Sequence, residues 1–135
     1  MLSRTRVVFA VLVALAVGGA VAASYAAMPG PTIVGTATYP ISVQAGNYDL
    51  ISQVVDLPPG GVIPKHTHGG PVVAQVVTGE VTVTDAMGQK VFKAGQMFTE
   101  SGGYVHAAAN KGPVTARVAV SYLIPKGAEV TTIVK

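Results

Sequence analysis

Short stretches rich in Val, Ile and Thr, separated by Pro and Gly, make up most of the chain beyond residue 28. One of them, Glu80-Val81-Thr82-Val83-Thr84, alternates polar and apolar residues, which is typical of a strand with one buried face. We predict strands at residues 32–39, 48–57, 72–78, 80–84, 89–92, 96–99, 105–109 and 115–124. Many short strands at even spacing in a small domain predict an all-β sandwich or a closed β-barrel.

The first 27 residues have the pattern of a secretory signal peptide. Arg4 and Arg6 give this segment a positive start, and residues 7–17 form an uninterrupted apolar run. Ala20-Val21-Ala22 then provides the small-x-small sequence that signal peptidase accepts. We therefore expect a signal-peptide helix at residues 1–27 that does not belong to the folded domain.

Cleavage is expected after Ala22, with positions up to Ala27 as alternatives. The remaining domain, residues 28–135, would then be secreted or periplasmic. The other interpretation is an uncleaved membrane anchor at residues 7–23, because about 17 apolar residues are the minimum that spans a bilayer. In that case the domain would contact the membrane only through this segment.

The composition excludes several functional classes. Nine basic and six acidic residues give a net charge of +3, and two of the basic residues lie in the signal segment. With no Lys- or Arg-rich run elsewhere, the chain does not resemble a nucleic-acid-binding protein. A hydrophobic content of 50% with 11% charged residues excludes a disordered chain. There is no cysteine, so disulfides, thiol nucleophiles and thiolate metal ligands are also excluded.

The chemistry of the chain is concentrated in its three histidines, His66, His68 and His106. Residues two apart on a strand point to the same face, so His66 and His68 can present two imidazoles to one metal ion. By itself such a pair is a weak signal, since both rings could equally face solvent. The spacing of the surrounding residues is more specific.

The segment around the first two histidines resembles the first sequence motif of the cupin superfamily. In that motif a glycine is followed after five residues by His-x-His, and after ten more residues by a second glycine. Here these positions are Gly60, His66, His68 and Gly79. The resemblance extends over residues 49–124.

The third histidine lies in a segment that resembles the second cupin motif. Gly95, Gly103, His106 and Asn110 occupy the expected positions, and only Ser101 departs, since the family has proline there. Together the two motifs include every histidine of the chain. The resemblance implies a single cupin jelly-roll β-barrel at residues 28–135, with His66, His68 and His106 as ligands of one divalent metal ion.

One departure from the family pattern bears on function. The first motif usually carries a glutamate three or four residues after its second histidine, but no carboxylate stands at Val72 or Val73. Glu100 lies beside the second motif, and the alternation counted from His106 across the intervening glycines does not decide its direction. The sequence therefore predicts a site of three histidines, without an assigned carboxylate.

Three neutral imidazoles would leave a divalent ion its full charge, which favours anionic ligands. Imidazole ligands suit Fe, Zn, Cu and Ni, and Mn is a further candidate, so the metal is not identified. By resemblance to three-histidine cupins, we expect an exported, dioxygenase-like enzyme acting on a small anionic substrate. The alternative is a module that binds a small molecule or metal without turnover, and a barrel without metal is the third interpretation. Metal acquired outside the cytoplasm would be zinc or copper rather than iron, which binds more weakly.

The barrel and the family resemblance also predict which residues line the pocket and that the protein is a homodimer. Val72, Ala74 and Ala108 are expected on inward faces, and Tyr104 is expected to share the face of His106. Cupins of this size commonly pair through strand edges, so the resemblance implies a homodimer. Residues 32–39 and 130–134 are the candidate edge strands, because unpaired edges invite partners.

Overall fold

The computed structural model describes residues 32–135, which form nine β-strands. The strands are β1 (Tyr48–Leu57), β2 (Val62–His68), β3 (Val72–Thr78), β4 (Glu80–Asp85), β5 (Gly88–Lys93), β6 (Met97–Glu100), β7 (His106–Ala109), β8 (Ala116–Pro125) and β9 (Thr131–Ile133). The described residues contain no helix, and hence none long and apolar enough to cross a membrane. The predicted signal segment, residues 1–27, lies outside the described part of the chain.

The strands form two sheets in which the paired strands are antiparallel. One sheet has four strands in the order β1-β8-β3-β6, and the other has five in the order β5-β4-β7-β2-β9. The order is not sequential in either sheet, so the chain crosses repeatedly from one sheet to the other. The prediction of an all-β jelly-roll fold is therefore confirmed for residues 48–133, which contain the strands, and the structure shows that they form two sheets.

The core lies between the two sheets and follows the alternation of the strands. In β4 and β3 the apolar side chains of Val81, Val83, Ala74 and Val76 are buried. A smaller apolar cluster consists of Val72, Tyr122 and Ile124. Inward-facing apolar residues from both sheets thus provide the burial that holds the barrel together.

Most predicted strands agree with the structure to within a residue or two, but residues 32–39 form no strand. Residues 32–38 are exposed and have no ladder partner. Their Thr- and Val-rich composition fits a pleated surface, yet a strand also needs a neighbouring edge and packing partners. The prediction of an edge strand at residues 32–39 was therefore wrong.

An irregularity in β2 brings the first histidine pair into the barrel. The register with β7 shifts between Ile63 and His66, so β2 contains one residue more than its partner over this interval. In a regular strand residues three apart would face opposite sides, whereas Ile63 and His66 both line the interior cavity. The bulge between Ile63 and His66, an interval that contains Pro64, reconciles these two orientations, and a bulge is one of the few places in a sheet that accept proline.

Two glycine-containing loops meet backbone to backbone next to the histidines. A Cβ at Gly102 would lie 2.9 Å from the Cα of Gly70, and a Cβ at Gly70 would overlap the carbonyl oxygen of Leu123. The N–H of Gly103 donates to the carbonyl of His68 at 2.8 Å. Only residues without a side chain allow this approach, which fastens the β6–β7 loop to the end of β2.

Candidate metal centre

The three imidazoles converge inside the barrel. His66 of β2 stands opposite His106 of β7 in the strand register, and His68 follows two residues later on the same face. Their ring centroids are 4.2 to 5.1 Å apart. All three residues are buried, and one nitrogen from each lies within 4.8 Å of the others. The structure therefore brings together the three histidines that the two motifs singled out, in a group that could hold a metal ion.

Backbone carbonyls determine which ring nitrogen is available for a ligand. The Nδ1 atom of His66 lies 2.7 Å from the carbonyl oxygen of Pro64, and that of His106 lies 3.0 Å from the carbonyl oxygen of Tyr104. The Nδ1 atom of His68 lies 3.0 Å from the carbonyl oxygen of Val130. A carbonyl oxygen only accepts hydrogen bonds, so each Nδ1 carries the hydrogen. In the neutral rings each Nε2 then has a free lone pair, as a metal ligand requires.

A carboxylate completes the cluster. Glu100 Oε1 lies 3.1 Å from Nε2 of His106, and Oε2 lies 3.3 Å from Nε2 of His68. The sequence left the direction of Glu100 undecided, and the structure places its carboxylate beside the rings of His106 and His68. Within β6, Phe98 is buried in the core, so Glu100 two residues later faces inward as well.

The electrostatics follow from this arrangement. Burial by itself would raise the pKa of Glu100. The hydrogen bonds with His106 and His68 together outweigh this effect, and the pKa is lowered to about 2. Burial lowers the pKa of His106, while the neighbouring Glu100 carboxylate raises it, and the net shift is upward. For His66 burial is the main cause, and its pKa is lowered. Glu100 is therefore a carboxylate at neutral pH. Of the histidines in the cluster, His106 has a raised pKa and His66 a lowered one.

The hydrogen-bonding pattern requires a cation between Glu100 and the rings. Nε2 lone pairs and carboxylate oxygens repel each other at 3.1 to 3.3 Å unless a positive charge lies between them. That charge is either a proton on Nε2 or a metal ion. Imidazole nitrogens together with a carboxylate oxygen are a donor set that divalent transition metals accept. The residues therefore fit the divalent ion that the motifs imply.

A cavity of about 70 Å³ adjoins the cluster. The three histidines, Glu100 and Tyr122 are its polar lining residues, and the rest of the wall is apolar: Val55, Leu57, Ile63, Val81, Phe98, Ala108, Val118 and Val120. Pockets for drug-sized ligands usually measure about 300–1,000 Å³, so this space suits only a ligand of a few atoms.

The predicted pocket residues have different positions. Ala108 lines the cavity, whereas Val72, Ala74 and Tyr104 are not among its lining residues. Val72 and Ala74 do face inward and are buried, but longer side chains on the paired strands, such as Phe98 beside Ala74, reach further into the interior. The Tyr104 ring stacks at 6.4 Å from that of His106, and its carbonyl is the group that contacts the histidine.

Sequence reasoning missed two further contributors to the site. Tyr122 of β8 lines the cavity, with its ring 5.2 Å from that of His68. Thr131 of β9 places Oγ1 3.1 Å from Nδ1 of His68, beside the Val130 carbonyl. The alternation of β8 could have indicated Tyr122, but no local pattern places β9 next to β2.

Comparison with known proteins agrees with this geometry. The Cupin_2 family, described as a cupin domain, matches residues 53–123. The chain belongs to the cupin superfamily. This match includes both motifs and all three histidines, so the predicted family is confirmed.

Individual relatives extend the comparison. Germin-like protein subfamily T member 2 of Arabidopsis thaliana is 36% identical over 74 residues, which cover 50% of this cupin and 34% of the relative. A conserved double-stranded β-helix protein from Klebsiella pneumoniae is 27% identical, with a TM-score of 0.55, covering 70% of this chain and 82% of that one. Oxalate oxidase in complex with the substrate analogue glycolate is 26% identical, with a TM-score of 0.55, covering 63% and 46%. This cupin thus spans about a third of the germin-like relative and under half of oxalate oxidase.

Proposed function

We propose that this cupin binds one divalent metal ion through Nε2 of His66, His68 and His106 and acts as an oxidase or oxygenase on a small carboxylate. The observation that carries the proposal is the hydrogen bonding of the three Nδ1 atoms to carbonyl oxygens, which leaves the three Nε2 atoms as the nitrogens available to an ion within one buried group. A ligand set that is oriented before the ion arrives loses little conformational freedom on binding.

The cavity next to the histidines favours a small anionic substrate. A bound redox-active ion would supply positive charge for a carboxylate and a centre for electron transfer. Apolar side chains such as Ile63, Phe98 and Val118 line the cavity beside the cluster. They lower the local dielectric constant and so strengthen the attraction between a bound ion and an anion. The volume of about 70 Å³ limits the substrate to an acid of very few carbon atoms. Oxalate oxidase with glycolate among the relatives supports the same substrate class.

Turnover by the metal-loaded protein tests this proposal. The protein is loaded in turn with Fe²⁺, Mn²⁺, Cu²⁺ and Zn²⁺, and oxygen uptake is measured with oxalate, glycolate and other short acids. We expect uptake with at least one redox-active ion, no uptake with zinc, and loss of uptake in His66→Ala. Metal binding without oxygen uptake in any combination would contradict the enzymatic part.

A binding module without turnover is the second candidate function. The cavity is small, and Glu100 is the only acidic residue that lines it, so the wall described here offers no separate acid–base pair. Such a module would bind the same metal ion and small acids but leave them unchanged. Spectral changes of the metal on addition of glycolate, without oxygen uptake, would favour this candidate.

Export from the cytoplasm is a further part of the proposal, and it rests on the sequence of residues 1–27. We expect the mature protein outside the cytoplasm to begin directly after Ala22, with cleavage up to Ala27 as the alternative. Intact-mass measurement of the protein from its native compartment checks this. A full-length chain in the membrane fraction would instead support the anchor at residues 7–23.

We also propose a homodimer that forms through strand edges. β1 lies at the edge of the four-stranded sheet and exposes Leu50 and Val54, and β9 lies at the edge of the five-stranded sheet. The candidate at residues 130–134 is therefore retained, whereas the segment 32–39 is no longer a strand candidate. Sedimentation equilibrium measures the mass in solution, and a monomer at high concentration would contradict the proposal.

A further inference from the structure

We infer that Glu100 is a fourth ligand of the metal ion, so that β6 supplies the carboxylate for which the first motif uses a position on β3. The inference rests on the proposed metal binding and adds a residue that the motifs do not assign. It changes the site from three nitrogens to three nitrogens and one oxygen.

The strand register makes this exchange possible. Val72, at the position where the motif usually has glutamate, is paired with Glu100 across β3 and β6. Cβ atoms of directly paired residues are about 4.5–5.5 Å apart, and both side chains point to the same side of the sheet. The Thr99 hydroxyl donates to the Val72 carbonyl at 2.7 Å and fixes the two strands at this point. A glutamate on either strand can therefore reach the same part of the interior.

The distances agree with shared coordination. Ligand atoms about 2.1 Å from one ion, at tetrahedral or octahedral angles, lie roughly 3.0–3.4 Å apart. The two Glu100 oxygens lie 3.1 and 3.3 Å from Nε2 of His106 and His68. An ion in front of these nitrogens would lie within reach of a carboxylate oxygen without a change of strand.

The buried carboxylate of Glu100 is stabilised by a positive charge close to it. Its side chain is only 11% exposed, and within residues 32–135 its ion pairs are with His68 and His106 rather than with Lys or Arg. A buried carboxylate without a compensating charge is costly. A divalent ion held by the same histidines compensates it directly, and the net charge of the loaded site falls from +2 to +1.

The loop between Glu100 and His106 holds both residues in place. The N–H of Gly103 donates to the carbonyl of His68, and the Tyr104 carbonyl accepts from Nδ1 of His106. Glu100 is thus joined through a short, fastened loop to two of the three histidines. Val72, which is paired with Glu100, is buried, with 1% of its surface exposed.

Cobalt binding tests the inference with a readout that does not depend on activity. The Co²⁺ dissociation constant is measured by competition with a chelator, and the visible spectrum of the bound ion reports its ligands. We expect Glu100→Gln to weaken Co²⁺ binding by about tenfold or more and to change the spectrum. The matched control is Glu129→Gln, at an exposed glutamate, which should change neither quantity.

A transplanted ligand and a direct distance complete the test. In the double variant Val72→Glu/Glu100→Val, the glutamate returns to β3, and Co²⁺ affinity should recover relative to Glu100→Gln. In crystals of the Co²⁺-loaded wild-type protein, a Glu100 oxygen should lie about 2.0–2.2 Å from the ion. This second measurement holds even if a variant fails to fold.

The outcomes separate this inference from the proposed function. If the wild type binds Co²⁺ and His106→Ala abolishes binding, while Glu100→Gln retains the affinity and the spectrum, the fourth ligand is refuted and the three-histidine site stands. If the wild type binds no divalent ion, both proposals fail. A Glu100 carboxylate beyond coordinating distance in the loaded crystal would also overturn the inference.

Discussion

Each of the three buried imidazoles has a peptide carbonyl oxygen at its Nδ1 atom, but the origin of that carbonyl differs. For His66 and His106 it belongs to the residue two positions earlier, Pro64 and Tyr104 respectively. For His68 it belongs to Val130, 62 residues further along the chain. The orientation of two rings is therefore a local property of their strands, whereas the third depends on β9 packing against β2.

Also at the level of single residues, a substitution of one alanine can distinguish metal binding from substrate binding. Ala108 lines the cavity, so Ala108→Leu should fill much of the roughly 70 Å³ and exclude small acids, while the histidines remain free to hold Co²⁺. We expect unchanged metal content and no response of the Co²⁺ spectrum to glycolate. Overpacking should lower the free energy of unfolding by about 1–3 kcal/mol.

The neighbouring residue provides the control for this substitution. Ala107 lies on the opposite face of β7, so Ala107→Leu adds the same atoms outside the cavity. That variant should keep the glycolate response of the wild type. An Ala108→Leu protein that still responds to glycolate would show that small acids reach the ion by another route.

The residues of the site were predictable from the sequence to different degrees. His66, His68 and His106 follow from two motif spacings, because a motif fixes positions on paired strands. The direction of Glu100 was also available from its distance to Phe98 within β6, but counting back from His106 crosses two glycines where alternation breaks down. Thr131 was not predictable, since only the tertiary pairing of β9 with β2 brings it to His68.

At the scale of elements, the local pattern agrees with the structure where at least one neighbouring strand pairs with the segment, as for the edge strand β1 and the inner strand β4. Glu80-Val81-Thr82-Val83-Thr84 alternates and forms β4 between β5 and β7. Residues 32–39 have comparable composition but form no strand, because no edge pairs with them. The bulge in β2 was not predicted either. The extra residue that reverses the inward and outward alternation is defined only by the pairing of β2 with β7.

The loop contact that fastens β6–β7 to β2 can be tested with glycine substitutions. Gly70→Ala places a Cβ against the Leu123 carbonyl, which is backbone and cannot rotate away. We expect a loss of about 2–3 kcal/mol or more in the free energy of unfolding, measured in urea. Gly46→Ala, whose added Cβ would be 3.8 Å from its nearest neighbour, should remain within about 0.5 kcal/mol. Equal stability of the two variants would contradict the tight approach of these loops.

At the scale of the whole molecule, the barrel is small and contains no disulfide. Its core consists largely of Val and Ala rather than large aromatic residues, so burial alone gives a modest margin of stability. A metal ion that joins β2, β6 and β7 would connect the two sheets, because β6 belongs to the four-stranded sheet and β2 and β7 to the other. Metal binding should therefore stabilise the fold as a unit.

Removal of the metal checks this coupling. A ligand present at 100 times its dissociation constant adds about 2.7 kcal/mol to the stability of the folded state. For a domain of this size, chelation should therefore lower the Tm by roughly 10 °C in calorimetry. The chelator should have no such effect on His106→Ala. An unchanged Tm of the metal-depleted wild type would exclude a stabilising role for the ion.

Element-resolved metal analysis of the purified protein, with and without His106→Ala, measures whether the three histidines hold an ion. If three converging imidazoles hold one ion, the wild type should contain about one divalent ion per chain, and the folded variant almost none. Material from the native compartment should contain zinc or copper rather than iron. A wild type without stoichiometric metal, or a folded His106→Ala protein with the same metal content, would contradict a metal site shared by the three histidines.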